Sequence, residues 1–426
     1  TPKPSSAASD VYKRQMMNIL VMHERAVLAR RREVSLRSAL LLVATMACLP
    51  LPVLAADPIT GDTFTPYASY GIYYDSNLLR QSDIARQSGA QLSDRWTRAA
   101  VGIRMDKDIG RQKLTADASV YRADYDHFNQ FNNTGKDLTA NWKWALGNRF
   151  SGNAGVNYME GLTSFDDYRS MQRSIQTQTK TYVDGSWRFH PSWALNAAYS
   201  HYDLGYDLEV QKPSERTLDI TDVGVDYLAR SGNKVGMVLR HIEGDYTYAD
   251  INSYTQNEVK AKIDWQVTGK TMLQFLGGYA KREYAINPQR DSNVPSARLT
   301  AYWKATNKTA VSLAAWRELG ATDNLAANYA RNQGVSLAST WDATSKISVD
   351  GLVMAEKRSY NGVSVIQGLD PLNRSDDYRN ALLGVTYKPT SHWRIRAAVF
   401  RTTLDSNIPS ASYSTDGAHI STRYEF

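Results

Sequence analysis

The sequence predicts an all-β protein: a single closed antiparallel transmembrane β-barrel of about 18 strands, with 16 as the alternative count. Three observations carry that prediction. Short turns alternate with long polar connections through residues 56–426. The segments between them alternate apolar with polar residues. The last segment, Gly417 to Phe426, is itself such a segment and ends on an aromatic residue. A closed barrel pairs every backbone group between strands, and its strands alternate lipid-facing with lumen-facing residues.

The N-terminal segments stand apart from the fold. Residues 1–15 look like a translated adaptor scar. Residues 16–55 look like a secretory signal peptide with a long basic n-region holding Arg25, Arg30, Arg31, Arg32 and Arg37. The apolar run Ala39 to Leu49 is broken by Pro50 and Pro52, and Val53-Leu54-Ala55 offers a cleavage site before Ala56. That run is shorter than the roughly 20 residues a membrane helix needs. The sole cysteine, Cys48, lies within this segment, so residues 56–426 are expected to hold no disulfide framework. The formal charge of +7 is also largely N-terminal. Eight of the 50 Lys/Arg and three of the 43 Asp/Glu fall in residues 1–55, leaving +2 for residues 56–426. A near-neutral, exported chain gives no argument for nucleic acid.

Eight short turns are rich in Gly, Asn, Pro and Ser, the residues that hairpins require. They centre on Gly110, Gly147, Pro191, Gly232, Gly269, Asn307, Thr344 and Thr390. The longer connections include residues 76–93, 164–173, 207–215, 287–294, 361–374 and 405–412. Outer-membrane barrels place short turns at the periplasm and long loops outside the cell. Eight turns join sixteen strands; one strand near Tyr67–Tyr74 and the last segment make eighteen.

Period-two alternation assigns faces. Val259, Ala261, Ile263, Trp265 and Val267 share one side of their strand, and Lys260, Lys262 and Asp264 the other. Trp393, Ile395, Ala397 and Val399 alternate with Arg394 and Arg396. In the last strand Ala418, Ile420, Thr422, Tyr424 and Phe426 face lipid, while His419, Ser421, Arg423 and Glu425 face the lumen. Aromatics sort toward strand ends: Trp144, Phe150, Phe189, Trp193, Trp265, Trp303, Trp341, Tyr387 and Trp393 beside short turns, and Tyr74, Tyr125, Tyr158, Tyr202, Tyr246, Tyr284, Tyr360 and Tyr413 beside long loops. Two girdles are expected. Tyr424 and Phe426 form the expected signal for the barrel-assembly machinery.

The opening segment, Phe64-Thr65-Pro66-Tyr67 through Asp75-Ser76-Asn77-Leu78-Leu79-Arg80, and a late one, Phe400 through Asp405-Ser406-Asn407-Ile408-Pro409 to Tyr413, carry a resemblance. They are similar to the ends of the EpsL-type outer-membrane β-barrel porins of exopolysaccharide biosynthesis operons. The resemblance implies a barrel conduit associated with exopolysaccharide export, with a polysaccharide and a periplasmic export partner as its ligands. A general diffusion porin for small solutes and a plugged binding or adhesin barrel are the alternatives. Outer-membrane lipid and lipopolysaccharide would surround it. Asp-Ser-Asn occurs three times, at 75–77, 291–293 and 405–407, and reads as turn chemistry.

Nothing in the sequence points to an enzyme, a cofactor or a metal. The six histidines of residues 56–426 form no HxH or HExxH pair. Ser200 and His201 are neighbours on a strand and so point to opposite faces. The candidate functional surface is therefore the lumen, lined in this register by Arg98, Arg104, Lys143, Arg188, Arg240, Lys260, Lys262, Asp264, Arg298, Lys304, Arg394, Arg396, Arg423 and Glu425. The pleat-spaced pairs Lys260/Lys262 and Arg394/Arg396 suggest a modest preference for anions.

Overall fold

The computed structural model describes residues 63–82, 89–320, 329–361 and 374–426. The scar, the signal peptide and the middle of the 361–374 connection lie outside the described residues. Eighteen strands follow in order: β1 Phe64–Asp75, β2 Asp94–Ile109, β3 Gln112–Tyr125, β4 Asn133–Leu146, β5 Phe150–Leu162 and β6 Ile175–His190. Next come β7 Trp193–Tyr206, β8 Arg216–Leu228, β9 Lys234–Asp245, β10 Tyr254–Thr268, β11 Thr271–Glu283 and β12 Ser292–Lys304. The last six are β13 Thr309–Gly320, β14 Tyr329–Asp342, β15 Ile347–Asn361, β16 Arg374–Tyr387, β17 Trp393–Ser406 and β18 Tyr413–Glu425. Each pairs antiparallel with its successor, and β1 pairs with β18, so the sheet closes. The count is 18, not 16.

All eight short turns fall where the sequence places them. Gly110, Gly147 and Gly232 supply the left-handed backbone at three of them, with φ of 61°, 57° and 88°. Every turn carries a cation in it or beside it: Arg111, Arg149, Arg188, Arg230, Lys270, Lys308, Lys346 and Lys388, all exposed.

Several long connections share a clasp. The backbone N–H of the residue that opens the loop donates to a side chain near its end: Tyr125 to Asn132, Tyr246 to Ser253 and Tyr284 to Asp291, at 2.6–2.9 Å. A single 3-10 turn fills each interval. The Asp-Ser-Asn triplets serve the same end. The Asn77 N–H donates to Asp75 at 2.8 Å, and the Ser375 N–H donates to Asn407 at 2.8 Å.

The faces separate as the alternation requires. Val101, Val120, Leu138, Val183, Leu239, Val259, Leu313, Val353, Val399 and Ile420 point outward and stay exposed as an apolar band. Toward the short turns the band is edged by Phe150, Trp187, Phe189, Trp193, Trp265, Trp303, Trp341, Tyr387, Trp393 and Tyr424, also exposed. Strands of 12–16 residues exceed the 9–11 or so that span the hydrocarbon. The surplus lies toward the long loops, where outward charges pair with one another, as Lys136 does with Glu160 and Arg401 with Asp416. An apolar belt, an aromatic edge and a closed sheet make this chain a β-barrel of the bacterial outer membrane.

The second girdle differs from expectation. Tyr125, Tyr246, Tyr284 and Tyr413 are buried, at 2–5% exposure. They pack inside the barrel, while Tyr74 and Tyr158, the latter opposite the outward Leu138, face outward as expected. Contacts on the inner side hold them there: Tyr125 stacks on Trp96 at 5.3 Å, Tyr284 packs against Tyr254 at 5.9 Å with Tyr246 in the same cluster, and the Tyr413 hydroxyl donates to Asp166 at 2.8 Å. On the inner face, Tyr67, Tyr121, Tyr182, Tyr254, Trp316 and Phe400 sit directly opposite Gly102, Gly135, Gly155, Gly244, Gly334 and Gly417. Each ring lies across the glycine, which leaves no room there for a Cβ. The rings therefore line the wall instead of crossing the lumen.

Two outcomes follow. The folded barrel should migrate faster on an unheated detergent gel than after boiling. Gly135→Ala, whose new methyl would meet the Tyr121 ring, should lower urea stability by about 1–3 kcal/mol. An unchanged midpoint would show that the ring moves aside at no cost.

Candidate functional site: the lumen and its two ends

All fourteen lumen residues named from the sequence share the inner face of their strands with residues that pair or stack inside. What they do there differs from expectation. Lys260 pairs with Glu258 at 2.6 Å, and Lys262 with Asp226 at 3.0 Å. Arg396 makes a two-pronged contact with Asp350 at 2.5 and 2.7 Å. Arg240 grips Asp222 and Arg298 grips Glu318 in the same way. Arg98 reaches Asp137 at 3.4 Å. Asp264 accepts from the Gln274 amide at 3.1 Å. The pleat-spaced cations thus do not stand as free charge, because a carboxylate on a nearby strand neutralises most of them.

Cations also cover the rings laid on glycine. Arg423 stacks over Tyr67 at 3.4 Å, Arg98 over Tyr121 at 4.0 Å and Arg282 over Tyr254 at 4.0 Å. Arg298 lies 5.2 Å from the Trp316 ring. The wall is layered at these places as glycine, ring and guanidinium, with the cation attracted to the ring face.

Near the short-turn end, Glu425 is 2% exposed and gathers three arginines: Arg423 at 3.1 Å, Arg104 at 3.5 Å and Arg394 at 3.6 Å. Asp117 joins the group through Arg104 at 3.4 Å, Arg423 at 3.6 Å and the Tyr67 hydroxyl at 2.6 Å. This cluster bridges β17, β18, β1, β2 and β3. Glu425, expected only to offset nearby cations, is its hub. Tyr424 and Phe426 point the other way, with rings 5.2 Å apart, and the Phe426 N–H donates to Pro66 across the seam at 2.9 Å.

At the long-loop end, two connections fold inward. Leu78 and Leu79 of the β1–β2 loop and Phe165 of the β5–β6 loop pack with Trp96, Tyr121, Phe128 and Phe131. The rings form a continuous stack: His419 on Tyr73 at 5.3 Å, Tyr73 on Trp96 at 5.4 Å, Trp96 on Tyr125 at 5.3 Å, and Phe131 against Phe165 at 4.8 Å. Arg80 ties the loops together. It donates to Asp75 and to Asp166, each at 2.8 Å. Asp166 also accepts from the Tyr413 hydroxyl at 2.8 Å, and Arg169 donates to the Ala411 carbonyl at 2.6 Å. Among the described residues Arg80 is the one non-glycine with positive φ, 54°. An arginine holds that backbone only where its surroundings over-determine it. Burial alone would raise the Asp166 carboxyl. Arg80 beside it and the Tyr413 hydroxyl outweigh that and hold it below the usual carboxylate range.

Sequence reasoning did not find this clamp. Its signals were the apolar Leu78-Leu79 and Phe165 within otherwise polar loops. The histidines play local parts: His190 accepts from the Ser192 N–H at 3.1 Å, and His201 faces outward beside Asp219. Among the described residues no cluster of His, Cys, Asp and Glu could hold a metal.

No protein-family profile and no curated protein sequence matches this chain. Solved structures resemble it in barrel architecture. OccK1 (OpdK) of Pseudomonas aeruginosa superposes with a TM-score of 0.47 at 11% identity, over 85% of this chain and 98% of that one. OccAB3 of Acinetobacter baumannii gives 0.41 at 10% identity over 85% and 99%. The alcaligin outer-membrane receptor FauA of Bordetella pertussis gives 0.41 at 12% identity over 85% and 76%.

The clamp should respond to mutation and only to strong acid. Because the Asp166 pKa is depressed, its contribution is full above about pH 4 and is lost as pH falls through the lower folded value. Asp75→Asn leaves Arg80 buried with its main partner neutralised, a loss of about 3 kcal/mol. Trypsin added outside should then cut at Arg169 or Arg173 much faster than in wild type at neutral pH, with the barrel still folded on a gel. Equal cutting rates would mean that packing of Leu78, Leu79 and Phe165 alone holds the loops.

Proposed function

We propose that this chain is a passive outer-membrane channel for small polar and ionic solutes, a diffusion porin in the broad sense. The observation that carries this reading is the arrangement of the inner wall. Rings lie flat on glycines, and charged side chains pair along the wall with neighbouring strands, so both keep to the periphery. An 18-stranded barrel is wide enough for an aqueous path. The inward loops narrow it at the long-loop end, which favours small solutes over a polymer. No step of this function calls for a reaction. In this reading phospholipid and lipopolysaccharide surround the apolar band. The assembly machinery reads the last strand with Tyr424 and Phe426 outward.

A conduit for exopolysaccharide is the second reading, favoured by the EpsL-like segments at the two ends of residues 64–413. Liposomes containing the purified protein separate the possibilities. Swelling in small sugars, with a rate that falls steeply with solute mass, is expected. Folded protein that gives no swelling would favour a plugged barrel. In cells, gene deletion should leave surface polysaccharide unchanged while slowing small-solute uptake; loss of polymer would favour the conduit.

A further inference from the structure

The interior ion pairs leave open where ion preference arises. The periplasmic rim differs from the wall above it. Lys143, Arg188, Lys234 and Lys304 lie on the inner faces of β4, β6, β9 and β12 at the short-turn end, and all four are exposed. Among the described residues none has a carboxylate within ion-pair distance, whereas most cations deeper in the lumen do.

Among the described residues the inner-face carboxylates at this level are Asp106, Asp108, Asp184, Asp264 and Asp342; Asp184 lies in one cross-strand row with Asn153 and Lys143 and accepts from the Asn153 amide. Lys113 holds Asp106 at 2.7 Å and stands 3.9 Å from Asp108. Asp264 sits opposite Lys234 in register but accepts from Gln274. Asp342 closes β14. Just beyond the strands, the turns add one exposed cation after another around the circumference. The inward charges at this level roughly balance, and it is the turn cations beyond the strands that make the rim net positive below a wall whose cations are mostly paired.

We propose that these four inward cations, backed by the basic turns, form an anion-collecting ring that sets the selectivity of the channel. The solutes they favour are small inorganic or organic anions. The inference rests on the channel reading. Rings of Lys or Arg at a pore mouth raise the local concentration of anions, and low-dielectric walls focus the field. Because the ring is exposed, salt screens it, with a Debye length of about 10 Å at 0.1 M and 3 Å at 1 M. Selectivity that resides in a solvated ring must fade with salt.

The test is the reversal potential of the full protein in a planar bilayer under a KCl gradient. Wild type should prefer chloride on the order of threefold at low salt, as a potential near half a kT requires, and the preference should collapse toward unity near 1 M. The variant K143Q/R188Q/K234Q/K304Q should conduct with little or no anion preference. These positions are exposed and unpaired, and the heat-modified gel shift confirms that the variant folds. R396Q/D350N, which removes an interior pair without changing the net charge, should leave the preference intact. Anion preference retained in the quadruple variant would overturn the inference, as would a wild type that prefers cations at low salt. A folded protein that passes no current would overturn the channel reading itself, an outcome distinct from unchanged selectivity.

Discussion

Closure of the sheet between β1 and β18 is the constraint on which the rest depends. Hydrocarbon offers no partner to a free strand edge, so the first and last strands must meet. The seam has nine register pairs, from Tyr67–Glu425 to Asp75–Gly417, against twelve between β1 and β2. Side chains reinforce both of its ends. At one, Glu425 and Asp117 gather Arg104, Arg394 and Arg423 across five strands. At the other, the Thr415 hydroxyl donates to Asp75 at 2.5 Å and Asn77 reaches the Ser414 carbonyl at 3.0 Å. Asp75 is also the carboxylate that holds Arg80, so the seam and the loop clamp share a residue.

Closure then fixes what the inside can contain. A strand with one face in lipid must turn every second side chain into the lumen, including long cations and large rings. Two devices keep these from filling the space. Rings lie on glycines of the next strand, and guanidiniums lie on rings or grip carboxylates one to three strands away. Both are local, so the wall is stiff and largely neutral. The exposed inward cations Lys143, Arg188, Lys234 and Lys304 stand near the short turns, where the strands end.

How much of this was legible follows from which interactions are local in sequence. Strand faces were readable because two solvents impose a period of two, visible in Val259 to Val267 and in Ala418 to Phe426. The turns were readable because left-handed backbone calls for residues such as Gly110 and Gly147. Inward placement of Lys260, Lys262, Arg394 and Arg396 followed from the same period. Their pairing with Glu258, Asp226, Glu425 and Asp350 did not, because most of those partners lie on other strands. Tyr125, Tyr246, Tyr284 and Tyr413 have the height of a girdle but face inward, and height alone cannot tell the two apart. The Arg80 clamp joins residues 75, 80, 166 and 413, and no local pattern reports such a contact. The seven-residue spacing from Tyr125 to Asn132, Tyr246 to Ser253 and Tyr284 to Asp291 was present to be read, and marks a repeated loop.

The central claim is a continuous aqueous path bounded by a wall with two unlike faces. Single cysteines at Ser421 and Ile420, neighbours on β18, test it most directly, because the sole native cysteine, Cys48, precedes the barrel. The measurement is the reaction rate with a charged, membrane-impermeant thiol reagent, applied from either side of the membrane. Cysteine at 421 should react from both sides and cysteine at 420 from neither. Reaction at 420 with protection at 421 would contradict the assignment of faces, and protection at 421 from the long-loop side would show that the clamp seals the lumen.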